Sequence, residues 1–363
     1  RNFLVFPTES GTRISVIRAS KARSGSPIPA RSLRRDRVPR EDAAGASKGA
    51  TGCARRRSTT LGRMSTAASA DTQWVLTLSC VDGPGIVHAI SGAVVAAGGN
   101  IEESQQFASH DTSRFFMRLQ VSAVAGGGST GTAAPEAFEA RFESALAPVT
   151  EHYGMSWRLD TVGRPVRTLI LASTATHCVN DLLYRRRSGQ LPIEVPLILS
   201  NHETVRDIAD FYGVPFEHRA IAGPDEKAAF EARVLEIVEE QRIELVVLAR
   251  YMQILSPELC ASLAGRAINI HHSFLPGFKG ANPYRQAHAR GVKLIGATAH
   301  FVTTDLDEGP IIEQDVARVD HSYTPTELMQ LGQDEEARTL RRAVTWFAQN
   351  RILLDGDRTI IFR

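Results

Sequence analysis

Asn269 and His271 stand two residues apart in Ala267-Ile268-Asn269-Ile270-His271-His272-Ser273, an apolar, β-branched run that breaks into the loop Leu275-Pro276-Gly277-Phe278-Lys279-Gly280. Successive side chains of a strand alternate faces, so the amide and the imidazole project together, opposite Ile268 and Ile270. A second strand pattern, Ile295 to Thr304, carries His300 and runs into the carboxylate-rich turn Asp305-Leu306-Asp307-Glu308-Gly309-Pro310. An amide, an imidazole and a carboxylate gathered at strand ends point in combination to catalysis. Each has a plainer reading alone. Asn-x-His on a strand is also a hydrogen-bonded structural pair. Asp305 to Glu308 is also a solvated turn, and it lacks the spaced ligands of an EF-hand loop. His271 and His272 point to opposite faces of a strand and cannot easily share an ion, so no metal site is expected there.

The elements that must position these groups alternate strand and helix over 165–363. Arg167 to Ser173 is a nearly continuous apolar strand, as in a buried parallel sheet. A helix near 177–188, a strand over Val195–Ser200, a helix over Glu203–Tyr212 and a short strand over Val214–His218 follow. Next come a helix over Lys227–Arg242, with Phe230, Val234, Ile237 and Val238 on one face, and a strand over Leu245–Ala249. This predicts a doubly wound, mostly parallel sheet with its ligand beyond the carboxyl ends of the strands. G-x-G-x-x-G and G-x-x-x-x-G-K-[ST] are both missing, so dinucleotide and P-loop readings lack their phosphate cradle. The stretch after the first strand, Ser173 to Asn180, has no glycine, which weakens a phosphate site there.

Ahead of this lies a shorter pattern, 72–161, read as βαββαβ. Trp74–Cys80 is a strand, and Asp82-Gly83-Pro84-Gly85-Ile86-Val87 opens a helix to Ala97, with Asp82 as its cap and Pro84 in its first turn. Gly98-Gly99-Asn100 ends that helix. Ile101–Ser109 and Ser113–Ser122 read as paired strands, Ala125–Gly131 as a flexible loop, Phe138–Leu146 as a helix and Met155–Leu159 as the closing strand. Residues 1–70 are a basic leader predicted to be disordered, with fifteen Lys and Arg against four Asp and Glu; residues 71–363 hold 27 basic and 36 acidic residues. The basic balance therefore says little about nucleic-acid binding by the folded part, and none is expected. The leader reads as an organelle transit peptide, as upstream sequence wrongly assigned to the protein with Met64 as the native start, or as a nucleic-acid arm. The first places the protein in a mitochondrion or another organelle; otherwise it is cytoplasmic. No apolar run is long enough to span a membrane. Four well-separated cysteines without a C-x-x-C pair argue against a disulfide scaffold and a cysteine zinc site.

Two resemblances extend this reading. The Asp82–Val87 turn with Gly98-Gly99-Asn100-Ile101 resembles the ACT domain, a regulatory module that binds amino acids. The resemblance implies an effector site at Asp82, Gly83, Gly85 and Asn100, or else a purely associating module, and a homo-oligomer. Ile268-Asn269-Ile270-His271-His272-Ser273-Phe274-Leu275-Pro276, then Gly296-Ala297-Thr298-Ala299-His300-Phe301-Val302, then Asp305-Leu306-Asp307-Glu308-Gly309-Pro310-Ile311-Ile312 resembles the folate-dependent formyltransferase fold. More narrowly, with the N-terminal module, it is similar to the formyltetrahydrofolate deformylase family, over about 72–363. That likeness implies hydrolysis of 10-formyltetrahydrofolate to formate and tetrahydrofolate, in one-carbon metabolism linked to purine synthesis, with no tightly bound cofactor. It implies Asn269, His271 and Asp307 as catalytic residues and His300 in support. Asn269 and His271 would donate to the oxyanion, and Asp307, its pKa raised by burial, would handle the attacking water. Arg250, Met252, Ile254 and Thr304 would line the folate pocket. Lys279 or Arg285 would meet the glutamate tail, or simply face solvent. The alternatives are a formyltransferase acting on an amine such as glycinamide ribonucleotide, and a non-catalytic amino-acid sensor.

Overall fold

The computed structural model describes residues 72–124, 135–277 and 283–363. The leader, the Ala125–Gly131 loop and Lys279 lie outside the described residues.

The first sheet is built from β1 (Gln73–Val81), β2 (Gly99–Ser109), β3 (Arg114–Ala123) and β4 (Ser156–Thr161), in the order β2-β3-β1-β4. Its pairs are antiparallel. Helices α1 (Ile86–Ala96) and α2 (Pro135–His152) pack together and cover one face. Trp74, Leu76 and Leu78 bury that face against Ile90, Val94, Phe138 and Phe142. The βαββαβ order is as expected, but the start of α1 is not. Its N-cap is Gly85, at φ +89°, and no side chain caps it. Asp82 is instead exposed and lies between β1 and the helix, its N–H bonded to the Ser113 carbonyl at 2.9 Å. Gly98 supplies the positive φ that ends α1, whereas Gly99 and Asn100 already belong to β2.

The second sheet follows the predicted alternation. Strand β5 (Val166–Ala172) leads through α3 (His177–Arg187) to β6 (Ile193–Ser200). A 3-10 turn and α4 (Arg206–Tyr212) then lead to β7 (Phe216–His218). The chain returns through α5 (Pro224–Glu240) to β8 (Leu245–Ala249), and through α6 (Pro257–Ser262) to β9 (Ala267–His271). After α7 (Pro283–Arg290) come β10 (Leu294–Phe301) and β11 (Ile311–Arg318), then α8 (Pro325–Ala348) and the hairpin β12 (Ile352–Asp355), β13 (Arg358–Ile361). The order is β11-β10-β9-β8-β5-β6-β7. Strands β9 to β7 run parallel, while β10 and β11 are antiparallel additions at one edge.

Both faces are covered. Ile170, Ile268 and Ile270 pack with Val179 of α3 and Leu340 and Val344 of α8. Leu169, Val246 and Leu248 pack on the other side with Phe230 of α5 and Leu259 of α6. From β5 the chain builds outward to β7, then returns to build β8 and β9 on the other flank. The β5/β8 boundary is therefore the point where the strand order reverses, the place where such sheets open a crevice at their carboxyl ends. Among the described residues no helix is long and apolar enough to cross a membrane.

Candidate active site

A cavity of about 650 Å³ opens at that crevice. The chain leaving β5 brings Ala175 and His177 to it, the chain leaving β8 brings Arg250 to Leu255, and β9 brings Asn269 and His271. Arg250 sits in the left-handed region at φ +62°, turning the chain sharply after β8 so that its side chain lines the cavity.

The period-two reading of β9 holds, since Ile268 and Ile270 are in the core and Asn269 and His271 line the cavity. The antiparallel β10 then places His300 directly beside Asn269 and Thr298 beside His271. A register shift with β11 at Ala299/His300 marks a bulge, a device that re-aims a side chain. His300 Nδ1 lies 2.9 Å from the Phe301 carbonyl and its Nε2 lies 3.2 Å from Asn269 Nδ2. A carbonyl can only accept, so the proton sits on Nδ1 and Nε2 accepts from the amide. Burial holds the His300 pKa below its ordinary value, in keeping with a neutral ring. One amide N–H of Asn269 is thus anchored and the other is available to the cavity.

Thr298 pins the chain that follows His271. Its hydroxyl donates to the Ser273 carbonyl at 2.9 Å and accepts from the Leu275 N–H at 3.0 Å. Gln314 reaches the same hydroxyl and the Leu275 carbonyl, each at 3.0 Å.

Asp307 comes from the loop between β10 and β11, at φ +57°, a region that Asp tolerates better than most residues. Its Oδ1 is 3.2 Å from His271 Nδ1 and 3.8 Å from His300 Nε2. The hydrogen bond from His271 holds the Asp307 carboxyl below its usual range, and burial opposes without prevailing. This corrects the expectation that burial raises it. Asp307 is an ionised acceptor fixed on His271, not a carboxyl poised to hold a proton. His271 Nε2 is buried and has no hydrogen-bond partner.

His272 follows the end of β9, so strand alternation no longer separates it from His271, and the rings lie 4.9 Å apart. Burial, aided by the charge of Arg250, pushes the His272 pKa down to about 4. The unfolded chain therefore binds the extra proton between about pH 6.5 and 4, and the native state loses stability as pH falls through that window. At 1.36 kcal/mol per unit the loss is about 3 kcal/mol by pH 4. Denaturant unfolding at pH 7 and pH 4 should show His272→Gln losing less stability than the wild type by that amount. Parallel losses would refute the assignment.

The weaker expectations divide. Arg250, Met252, Ile254 and Thr304 all line the cavity, with Met252 and Ile254 57% and 63% exposed at its mouth. Arg285 is exposed on α7 and does not line it. Asp82, Gly83 and Gly85 precede α1 and Asn100 follows it, so eleven helical residues, about 16 Å, separate them. They do not converge on one spot within a chain.

Sequence reasoning missed a second group in the same cavity. Glu336 of α8, 1% exposed, accepts from Tyr284 Oη at 2.5 Å and meets His177 Nε2 at 2.8 Å. Arg250 Nε lies 3.2 Å from it. Burial pushes the Glu336 carboxyl up, but the His177 hydrogen bond, the Arg250 charge and the Tyr284 hydroxyl outweigh it and hold it below its ordinary value. The donors of His177, Cys178 and Glu336 lie within 4.8 Å of one another, close enough for one metal ion, a grouping that cysteine spacing did not suggest. The Arg250 guanidinium already brings positive charge to that carboxylate. Two signals in the sequence pointed to α8. Thr324-Pro325-Thr326-Glu327 forms a capping box with Pro at the first turn. Glu336 also interrupts an every-fourth stripe of Leu328, Gly332, Leu340 and Val344, where an acid needs a reason to be buried.

Residues 166–344 match the family model described as formyl transferase. A formyltetrahydrofolate deformylase of Corynebacterium sp. (strain P-1) is 44% identical over 295 residues, 81% of this chain and 100% of the relative. The crystal structure of the formyltetrahydrofolate deformylase from Burkholderia mallei is 47% identical, with a TM-score of 0.74 over 80% of this chain and 100% of that one. Glycinamide ribonucleotide transformylase 1 from Symbiobacterium toebii is 32% identical, with a TM-score of 0.53, and covers 57% of this chain. With a deformylase matched along its entire length, and with a transformylase sharing a smaller part, the chain belongs to the formyltetrahydrofolate deformylase family.

Proposed function

We propose that this chain hydrolyses 10-formyltetrahydrofolate to formate and tetrahydrofolate, with Asn269, His271 and Asp307 as its catalytic residues. The observation that carries the reading is the state of His271, tied at Nδ1 to an ionised Asp307 and buried but unpartnered at Nε2, beside a half-anchored Asn269 amide. With the proton on Nδ1, Nε2 takes a proton from water as the water oxygen bonds to the formyl carbon. The carbonyl oxygen becomes an oxyanion, and the free N–H of Asn269 donates to it. The imidazolium is stabilised by Asp307. As the C–N10 bond breaks, Nε2 returns the proton to N10, leaving formate and tetrahydrofolate. Asp307 thus serves catalysis by fixing the His271 tautomer and compensating its charge.

The apolar side of the cavity, with Leu248, Met252, Ile254 and Val302, suits a flat ring system, and Thr304 and Arg250 offer polar contacts. Residues 72–161 would be an ACT-like regulatory domain and 165–363 the catalytic domain. A homo-oligomer would be needed to bring Asn100 of one copy near the Asp82–Gly85 turn of another, since α1 separates them within a chain. The compartment follows the leader and is settled by sequencing the mature N-terminus.

The direct test is incubation with 10-formyltetrahydrofolate and no added amine. Stoichiometric formate release is expected; release only when an amine acceptor is present would replace this reading with the transferase.

A further inference from the structure

The first sheet has a second face. Strand alternation puts Val75 of β1 and Arg118 and Gln120 of β3 opposite the residues that meet α1 and α2. The end of α8 lies against that face, and Arg118 is 3% exposed beneath it. Arg118 Nε and Nη2 reach the Gln349 carbonyl at 3.4 and 3.3 Å, at the cap of α8, where a cation answers the negative end of a helix. Its Nη1 reaches Glu103 at 2.9 Å. The other oxygen of Glu103 accepts from Arg351 Nη1 at 3.4 Å. Two guanidinium groups thus share one carboxylate. Burial, and then the charge of Arg351, hold the Arg118 pKa below its ordinary value, and Glu103 does not make up the difference.

Both arginines line a cavity of about 180 Å³ at this junction. Gln120 adds an amide, and Val75, Pro192 and Ala348 form an apolar wall. Among the described residues no acid lines it. Asp160, paired with Val75 across the sheet, is held by Arg164 at 2.6 Å and by Arg158 at 3.0 Å. Water takes about 30 Å³ in the liquid, so the space holds about six waters or one molecule of similar bulk. A folate is too large. The planar fork of an arginine matches a carboxylate, and the apolar wall suits a short hydrocarbon tail. Phosphate has no tail for that wall, and an α-ammonium group would face two cations with no acid to receive it.

We propose that this cavity binds a short-chain carboxylate without an amino group, its oxygens on Arg118 and Arg351 and its hydrocarbon against Val75 and Ala348. Arg118 belongs to β3 and Arg351 to the chain after α8, so the ligand clamps the two together. The site shares no lining residue with the catalytic cavity and does not depend on the deformylase reading.

Butyrate is the probe, with 2-aminobutyrate and inorganic phosphate beside it, in titration calorimetry on the full chain without folate. The wild type should bind butyrate at least tenfold more tightly than either of the others. Arg118→Met and Arg351→Gln should each weaken butyrate binding at least tenfold. The Arg351 side chain is 19% exposed, so its replacement is the milder change and decides the matter should the Met variant not fold. Saturating butyrate should raise the melting temperature of the wild type and leave that of Arg351→Gln unmoved, because a ligand stabilises only the state that binds it. Absence of butyrate binding in the wild type overturns the proposal, as does unchanged affinity, or an equal rise in melting temperature, in a folded Arg351→Gln protein. Phosphate binding as tightly as butyrate would make this a plain anion site, and 2-aminobutyrate doing so an amino-acid site; either refutes the assignment. No measurement uses turnover, so a failure of the hydrolase reading leaves this test intact.

Discussion

Replacing His271 by Gln should lower kcat for formate release by about 10²- to 10⁴-fold, the range for loss of a general acid–base in the transition state. KM should change little, because the buried and unpartnered Nε2 makes its bond to water as the reaction proceeds. Asp307→Asn should approach the same loss by a different route. The carboxylate, 3.2 Å from Nδ1, obliges the imidazole proton to sit on that nitrogen. An amide can turn its NH2 group to His271 and drive the proton to Nε2, which removes the base. Since the two residues act as one unit, the double variant should be scarcely slower than the worse single variant, and independent multiplication of the two losses would refute the coupling. The hydrogen bond from His271 keeps Asp307 ionised below its usual range, so any acid limb near neutrality in the wild-type rate profile belongs to another group. Single-turnover formate release across pH measures all of these.

The legible part of this site was the part written in short-range pattern. A period of two put Asn269 with His271, and a turn of acids next to Gly309-Pro310 marked the loop that delivers Asp307. Partners set by tertiary packing were harder to read. A strand pattern looks the same whichever way the strand runs, so the antiparallel β10, which puts His300 beside Asn269, could not be inferred from Ile295–Thr304 alone. Asp82 has good capping chemistry, but its backbone is committed to Ser113 and the helix opens three residues later on a left-handed glycine. Burial of Asp307 was foreseen without its donor, and the hydrogen bond from that donor outweighs the upward push of burial. No local pattern names the partners of Glu336, which come from α3, α7 and the turn after β8, between 52 and 159 residues away in sequence.

Gly309→Ala should be the most damaging single methyl in the molecule. Gly309 is buried, and a Cβ there would overlap the backbone carbonyl of Phe301 and lie 3.3 Å from His300 Nδ1. Backbone cannot rotate aside as a side chain can. The chain is also closed at this point, since the Phe301 N–H bonds the Pro310 carbonyl at 2.9 Å. Two relaxations remain, and both reach the site. If Phe301 moves, the Nδ1–carbonyl bond that fixes the His300 tautomer is strained and the Asn269 amide loses its anchor. If the loop moves, Asp307 leaves His271. Overpacking of this kind costs about 1–3 kcal/mol. A displacement of about 1 Å in a catalytic group costs about 10²-fold in rate, so kcat of the folded fraction should fall at least that far. Gly296→Ala is the control, because a Cβ there would also overlap a backbone carbonyl, that of Asp315, on strands whose contact lies away from the cavity. It should match Gly309→Ala in thermal destabilisation while its folded fraction keeps its turnover. Equal kcat losses in the two variants would mean that general destabilisation, and not the position of Asp307 and His300, limits the reaction.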